Sequence, residues 1–302
     1  NINQNMKTYF LSLLGLAMMS SACQTQKEPT PEKTSETVET KTRKAYEIPR
    51  TEVIPIKDSK SGGQYELYVK LPENYSEHKD SIHPVIYFTD AIWHMDILSA
   101  STEYLMENAI LVGISWQTDM SETLLEEVGP QVSRYRDYSV IPSKNKEHQA
   151  KYHFGQAPAH LDFVRNDVIP YVEENYRTDP TTRAYFGYSL GGLFGGYILL
   201  AQPDTFKNYI LGSPSVQGDV PFLSELSSKR SNDEKLNANV FISYGDLETE
   251  LGAAAEQFIT LLQNRKDESL ALEKVVLEGS HQTAFPTTGV RGVRWLSSLM
   301  KK

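Results

Sequence analysis

The sequence has a single cysteine, Cys23, among its 302 residues. An intrachain disulfide needs two cysteines, so it is excluded, and a body of this size must be held by its buried core, which is feasible. Basic residues are also scarce, since 30 Lys and Arg stand against 39 Asp and Glu, for a formal net charge of -9. A nucleic-acid-binding protein needs a basic face to neutralise phosphates, so nucleic acid is not an expected partner.

Long apolar runs are absent after residue 23, and no membrane-spanning helix is predicted beyond that point. Residues 1–23 instead have the layout of a secretory signal: a methionine, a lysine, an apolar run over 9–19, then small residues. Ser21 and Ala22 before Cys23 resemble a bacterial lipobox, although Ser20 stands where leucine is usual. We expect an exported lipoprotein, in the periplasm or outer membrane, with a lipid on Cys23 as its only membrane contact. The alternative is a plain signal peptide cut near Ala22.

Residues 24–45 are polar and lack any apolar period, which predicts a flexible linker, so the fold is expected to begin near Tyr46. From there strand and helix patterns alternate. "TEVIPI" and "QYELYVKL" flank a turn and predict a hairpin. Further strands are predicted at "PVIYFTD", "AILVGISW", "AYFGY", "NYILGS", "NVFISYG" and "LEKVVLEG", and helices over 96–107, 156–176, 251–265 and 290–299. This alternation predicts one α/β domain over 46–302 with a mostly parallel sheet.

The segment "RAYFGYSLGGLFGGYILLAQP" contains a G-x-S-x-G motif centred on Ser189. Such a motif arises by chance in about one chain in ten of this length. Here a strand precedes it and an apolar segment follows, as a nucleophile elbow requires. A phosphate-binding loop would need a following Lys-Ser/Thr, and a merely close-packed helix would leave the serine unexplained. The glycines then have a reason: two relieve the strained serine and three let the helix approach the sheet (Gly187 and Gly191; Gly192, Gly195 and Gly196).

A serine nucleophile needs a histidine to accept its proton and an acid to orient that histidine. In α/β hydrolases the chain order is serine, acid, histidine. Of seven histidines, His281 is the one that follows Ser189, and it comes just after a predicted strand. The loop "SYGDLETE" offers Asp246, Glu248 and Glu250, of which we favour Glu248, with Asp246 second.

Six motifs follow one another in the order found in the esterase family of α/β hydrolases, which the sequence resembles over about residues 50–300. They are "PVIYFTDAIW", "RYRDYSVIP", "RAYFGYSLGGLFGGY", "LGSPSV", "SYGDLE" and "GSHQTAFP". The family includes S-formylglutathione hydrolases, ferric-enterobactin esterases, feruloyl and acetylxylan esterases, and mycolyltransferases. The resemblance implies the α/β-hydrolase fold. Its Gly-x-x-Asp/Glu spacing selects Glu248 as the acid.

The resemblance also implies an oxyanion hole made by the N–H of Leu190 and one N–H of the Ala91–Ile92 turn. Each donor is worth about 3–4 kcal/mol in the transition state. Many family members have glycine where this chain has Ala91.

Residues 117–155 form a long irregular segment that follows the strand "AILVGISW", so we expect it at the same sheet edge as Ser189. It is longer than an ordinary connection, and such loops are usually lids, binding loops or disorder. In the family, the arginine-rich stretch "SRYRDYSVIP" lies beside the catalytic pocket. Either Arg136 and Asp137 form an ion pair that holds the loop, or the arginines bind an anionic or catecholate-bearing substrate beside aromatic surfaces. The predicted substrate-binding residues are Arg134, Arg136, Tyr188, Trp93 and Trp116.

These features predict a serine carboxylic-ester hydrolase that works through an acyl-enzyme, without a cofactor. The expected substrates are acyl esters of polysaccharides or related carbohydrates; the alternatives are a siderophore trilactone or acyl transfer to an alcohol. A zinc site is not expected, because the spacing of His148, His153 and His160 matches no H-E-x-x-H pattern. A non-catalytic binding lipoprotein would not need the serine, histidine and acid together.

Overall fold

The computed structural model describes residues 44–229 and 234–301. The signal segment, Cys23 and nearly all of the 24–45 linker therefore lie outside the described residues. Residues Tyr46–Lys302 group into one compact unit. The strands are β1 (Thr51–Lys57), β2 (Gln64–Lys70), β3 (Val85–Phe88), β4 (Ile110–Ile114), β5 (Ala184–Tyr188), β6 (Asn208–Gly212), β7 (Asn239–Gly245) and β8 (Ala271–Leu277).

The helices lie mostly between the strands. They are α1 (Ala91–Leu105), α2 (Glu122–Val128), α3 (Arg134–Asp137), α4 (Lys146–Tyr152), α5 (Ala157–Phe163), α6 (Ile169–Asn175), α7 (Leu190–Ala201), α8 (Val220–Lys229), α9 (Thr249–Asn264) and α10 (Ala284–Met300). Within the described ranges, no helix is both long and apolar enough to cross a membrane.

The eight strands of the described residues form one sheet in the order β1-β2-β4-β3-β5-β6-β7-β8. The predicted hairpin is confirmed: β1 pairs with β2 in antiparallel register from Thr51↔Lys70 to Lys57↔Gln64. Strand β2 is also antiparallel to β4, and the pairs from β4 through β8 are all parallel. The carboxyl ends of these six strands meet at one edge, where open α/β sheets place their sites.

Apolar residues cover both faces of the sheet. Successive side chains of a strand point to opposite faces, and in β5 the buried Tyr185 and Phe186 belong to two different core clusters. Helix α7 packs into the first cluster through Leu193 and Phe194, whereas α1 and α10 pack into the second. The sheet is thus buried between helices, as an α/β hydrolase requires.

Four features differ from the sequence-based expectations. Helix α1 begins at Ala91 rather than near residue 96, and helix α8 was not predicted. The 117–155 segment is not simply irregular, since it contains α2, α3, α4 and a 3-10 turn over Pro130–Ser133. The predicted 156–176 helix is interrupted by a π-helical turn over Val164–Val168. Pro170 follows this turn; it has no N–H, and its ring would clash with a regular helical carbonyl.

Candidate active site

Ser189 occupies the sharp turn between β5 and α7, with φ 58° and ψ −119°. A non-glycine residue at positive φ is strained, and the surroundings must hold it there. The N–H of Ser189 donates to the carbonyl of Gly212 at 2.9 Å, and its own carbonyl accepts from the N–H of Ser215 at 3.0 Å. A Cβ at Gly187 would collide with the Gly191 carbonyl, and one at Gly191 with the Thr89 hydroxyl. Both glycines of the motif are therefore required by close approach.

The structure brings Glu248 to His281. Nδ1 of His281 lies 2.6 Å from Oε1 of Glu248, whose side chain is 5% exposed. The other carboxylate oxygen accepts from Ser213 Oγ at 2.7 Å and from the Gly245 N–H at 2.6 Å. An ionised carboxylate only accepts hydrogen bonds, so Nδ1 carries the proton and Nε2 is the basic nitrogen. This is the tautomer that a general base needs.

The other two acids of the loop have different positions. Asp246 is exposed, and its Oδ1 accepts from the N–H of Gly279 at 2.8 Å, which ties the loop after β7 to the loop after β8. Glu250 is exposed in the first turn of α9, where a negative charge is favoured by the helix dipole.

Ser189 and His281 line the same cavity, of about 540 Å³. The Ser189 hydroxyl makes its hydrogen bond with Ser215 Oγ, at 3.1 Å. The cavity opens at the carboxyl edge of the sheet. Its walls are Trp93, His94, Arg134, Tyr188, Ser189, His281, Gln282 and Phe285.

The two predicted oxyanion-hole segments are both helix starts. Leu190 is the first residue of α7, and Ala91 is the first residue of α1. The first N–H groups of a helix have no intrahelical acceptor, so they are available to a substrate oxygen. The segment Ala91–Ile92 is thus the first turn of a helix rather than the free turn expected from the sequence. It buries Ala91 and leaves Ile92 54% exposed.

A buried ion pair holds the start of α1. Asp90, which precedes the helix at φ 56°, is fully buried. Its carboxylate accepts from Trp116 Nε1 at 2.6 Å and from two nitrogens of Arg134 at 2.9 and 3.1 Å. Such a bidentate pair fixes geometry as well as charge. Burial opposes the charge of Arg134, but Asp90 raises the pKa of this guanidinium above its usual value.

The predicted substrate-binding residues therefore fall into those that line the cavity and those that do not. Arg134 and Tyr188 line the cavity, as does the half-exposed Trp93, whose ring centroid lies 5.0 Å from the Arg134 guanidinium carbon. Trp116 is buried against Trp93 and bound to Asp90. Its ring is a support for the cavity wall and not an open stacking surface.

Arg136 does not reach Ser189. Its guanidinium donates to Asp137 at 2.7 Å, to Gln117 at 2.6 Å and to the Tyr65 hydroxyl at 3.1 Å, in a separate polar cleft. Residues two apart on a helix do not share a face, so α3 cannot direct both arginines to one cavity. The structure thus contains the ion pair within the loop that was the alternative for Arg136.

Comparisons with known proteins identify the family and the fold. Residues 59–299 match the model of the family described as "Putative esterase". The chain belongs to this family. The ferri-bacillibactin esterase BesA of Bacillus subtilis is 27% identical over 239 residues, 72% of this chain and 77% of that protein. A siderophore triacetylfusarinine C esterase of Aspergillus fumigatus is 29% identical over 120 residues, 37% of this chain and 40% of that protein.

Among solved structures, an IroE-like serine hydrolase from Shewanella oneidensis superimposes with a TM-score of 0.69 at 21% identity. The match covers 82% of this chain and 80% of that one. The predicted α/β-hydrolase fold and the esterase family are therefore confirmed, and the chain is an esterase. The roles of individual residues stay predictions.

The three histidines considered for zinc have different surroundings. His160 is buried among aromatic rings, whereas His148 lies on α4 and His153 follows its end. In the part of the chain that the structure describes, no three or more His, Cys, Asp or Glu side chains are arranged to hold a metal ion.

Three polar side chains around the cavity were not predicted from the sequence. Ser213 and Ser215 bind Glu248 and Ser189 respectively. The motif "LGSPSV", which carried part of the family resemblance, was the signal that pointed to them. The third is His94, whose Nδ1 lies 2.8 Å from the Thr89 carbonyl oxygen. A single histidine in a helical pattern gives no such signal, because only the fold brings it to Ser189.

Proposed function

We propose that the chain hydrolyses carboxylic esters of siderophores through an acyl-enzyme on Ser189, with His281 as the general base and Glu248 as its orienting acid. One observation carries the catalytic part. The 2.6 Å contact between Glu248 and His281 fixes the imidazole in a cavity that it shares with a serine at a strained strand-to-helix turn. The names of the related esterases support the substrate class.

The chemistry follows from these positions. His281 Nε2 accepts the Ser189 proton while Oγ attacks the ester carbonyl, and the N–H groups of Leu190 and the Ala91–Ile92 turn stabilise the oxyanion. The intermediate collapses, and the protonated imidazole gives its proton to the departing alcohol. Water then attacks the acyl-serine by the same route in reverse and releases the acid. Glu248, which is hydrogen-bonded and buried, stabilises the imidazolium in both steps.

The cavity supports a large substrate with aromatic or anionic groups. Trp93 is 47% exposed and Phe285 forms another part of the wall. Arg134 lines the cavity, and two of its nitrogens bind Asp90, so Nη1 is the guanidinium nitrogen that this pair does not use. Polysaccharide acyl esters, which the sequence analysis placed first, use the same catalytic residues, as does acyl transfer to an alcohol. The experiment must therefore distinguish siderophore hydrolysis from these two reactions.

The test is a direct competition of substrates. The full-length chain is incubated with a trilactone siderophore, iron-free and ferric, and with acetylated and feruloylated xylo-oligosaccharides, and products are identified by mass spectrometry. We expect kcat/KM for the siderophore to exceed that for the oligosaccharides by at least about 100-fold, equivalent to roughly 2.7 kcal/mol. The opposite order would make the chain a polysaccharide esterase. A sugar that gains an acyl group during the incubation would make it a transferase.

The matched control is Ser189→Ala. Removing the nucleophile is expected to lower kcat by at least about 10³-fold on every substrate, while the circular dichroism spectrum is unchanged. Activity of Ser189→Ala within tenfold of the wild type would reject the acyl-enzyme mechanism.

A further inference from the structure

His94 lies in the wall of the cavity that holds Ser189. It is one helical turn after Asp90, and its N–H donates to the Asp90 carbonyl at 3.1 Å. The catalytic scheme above uses His281 and gives His94 no task. His94 is a buried histidine beside the nucleophile, and the reaction does not use it. Its presence there therefore requires another explanation.

The hydrogen bond of its ring fixes the tautomer of His94. Nδ1 lies 2.8 Å from the carbonyl oxygen of Thr89, which can only accept, so Nδ1 carries the proton. Burial lowers the pKa of His94 to about 4, against the effect of the Asp90 carboxylate and with that of Arg134. Near neutral pH the ring is uncharged, and Nε2 has a free lone pair.

The ring is also held in one orientation. It stacks on Phe285 with centroids 4.9 Å apart and an interplanar angle of 30°, and it meets Phe186 edge-on at 5.4 Å and 81°. The Nε2 atoms of His83 and His160 are sealed in the protein interior without a partner, whereas that of His94 is not. Because Nδ1 is bound to Thr89, Nε2 is the ring nitrogen that His94 can offer to the cavity that it lines.

The other uncharged side-chain acceptor of the wall is the amide of Gln282, which is exposed, and the remaining polar groups differ from Nε2 in what they offer. Arg134 can only donate hydrogen bonds, and the Tyr188 hydroxyl donates to the His281 carbonyl at 2.6 Å. Ser189 and His281 take part in the reaction, and Trp93 and Phe285 present aromatic surface. His94 thus supplies a rigid, uncharged acceptor in a mostly apolar wall.

We propose that His94 is a specificity-determining residue, whose Nε2 accepts a hydrogen bond from a hydroxyl of the ester substrate. The selected class is esters that carry a hydroxyl group on the acyl or the alcohol part, near the scissile bond. A substrate of the same size without that donor leaves Nε2 desolvated and unpaired, and a site of this kind rejects such an analogue strongly. The inference rests on the proposed ester hydrolysis at Ser189 and extends it to the choice of substrate.

The test uses matched esters that differ in one hydrogen-bond donor. One set carries a hydroxyl at the ortho, meta or para position of a benzoyl group, the other carries it on a phenol leaving group, and each has its methoxy counterpart. We expect the wild type to prefer at least one hydroxy ester over its methoxy counterpart by about tenfold or more in kcat/KM. His94→Phe, which keeps the aromatic packing and removes Nε2, is expected to reduce this ratio to within about twofold. Comparing the ratio between enzymes cancels the intrinsic reactivity of each ester.

Two further measurements separate the outcomes. His94→Gln, which returns an acceptor oxygen, is expected to recover part of the ratio. A ratio that survives in His94→Phe, or a wild type that shows no hydroxyl preference in either set, would overturn the assignment even if rates or the melting temperature fall. Hydrolysis of the ester panel by Ser189→Ala would instead refute the proposed mechanism. The ratio of hydroxy to methoxy ester in the wild type and in His94→Phe would still test the role of His94.

Discussion

Glu248 and Asp246 are two residues apart in one loop, and the structure gives them different partners. The Glu248 carboxylate is buried and contacts His281, Ser213 and the Gly245 N–H. The Asp246 carboxylate is exposed and accepts from the Gly279 N–H. A negative charge beside the imidazole stabilises the imidazolium in the transition state, whereas one bound to a distant backbone amide does not.

The two acids therefore provide a matched pair of variants. Glu248→Gln is expected to lower kcat by about 10²- to 10⁴-fold, because the side chain keeps its size but loses its charge and can hold the wrong tautomer of His281. Asp246→Asn retains an oxygen acceptor for Gly279 and is expected to change kcat by less than about threefold. Both are measured with p-nitrophenyl acetate at saturating concentration. The reverse order would transfer the role of the acid to Asp246.

For individual residues, the sequence was informative where the function depends on neighbouring positions in the chain. The Ser189 motif and the single histidine after it follow from spacing and chain order, and the choice of Glu248 follows from the glycine spacing that the family resemblance implies. The position of Arg136 could not be predicted, because it depends on which face of α3 meets the sheet. His94 could not be predicted either, because the strands and helices that surround it are distant in the sequence.

Helix α7 contains four glycines, and their surroundings differ. A Cβ on Gly195 would lie 2.5 Å from both Leu211 Cδ2 and Tyr185 Cε1, in the tight contact between α7 and the sheet. A Cβ on Gly196 would lie 3.0 Å from Phe258 Cζ, at the far end of a side chain on α9. The first position leaves no room, and the second needs only a small movement.

Alanine at these two positions tests whether close packing explains the glycines. Gly195→Ala is expected to lower the free energy of unfolding by about 1–3 kcal/mol through overpacking. In Gly196→Ala the helix-propensity gain of about 1 kcal/mol offsets the smaller strain, so its stability is expected to stay within about 1 kcal/mol of the wild type. Urea denaturation measures both. Equal effects would show that packing against the sheet does not set the requirement.

The elements that the sequence predicted well are those with a strong local pattern. The hairpin has a turn rich in glycine and serine and a second strand of alternating burial, and the central strands are continuous apolar runs. The start of α1 was predicted too late, because Asp90 adopts a left-handed conformation and its carboxylate binds Arg134 and Trp116 instead of capping the helix. That arrangement depends on residues more than 20 positions away, which no local pattern contains.

For the whole molecule, two buried histidines predict sensitivity to acid. Burial lowers the pKa of His94 to about 4 and also lowers that of His160. Below pH 6.5 the unfolded chain takes up a proton at each histidine, whereas folded His94 stays neutral until about pH 4. The stabilisation is therefore complete above pH 6.5 and is lost as the pH falls towards 4. Asp219 acts in the opposite direction, because burial raises its pKa to about 6.

The contribution of His94 is isolated by comparing the wild type with His94→Phe in urea denaturation at pH 7, 5.5 and 4.5. Because the variant has no group to titrate, its stability relative to the wild type is expected to rise as the pH falls. Over the range from pH 7 to pH 4.5 the rise is of the order of 2.5 kcal/mol. A difference that is constant with pH would mean that the histidine is protonated equally in the folded and unfolded chains.

The predicted attachment of the chain to a membrane depends on Cys23, which lies outside the described residues. We propose that Cys23 carries lipid, because it follows an apolar run and the small residues Ser21 and Ala22. Two or more acyl chains on one cysteine bind a membrane stably, whereas a single chain binds marginally.

The full-length chain, expressed in a bacterium that processes lipoproteins, is therefore expected to enter the detergent phase of Triton X-114 and to incorporate labelled palmitate. Cys23→Ala is expected to lose the label and stay in the aqueous phase, with ester hydrolysis unchanged because the catalytic residues lie within 46–302. A wild-type chain that begins at Cys23 with an unmodified thiol and stays in the aqueous phase would refute the anchor and leave the plain signal peptide.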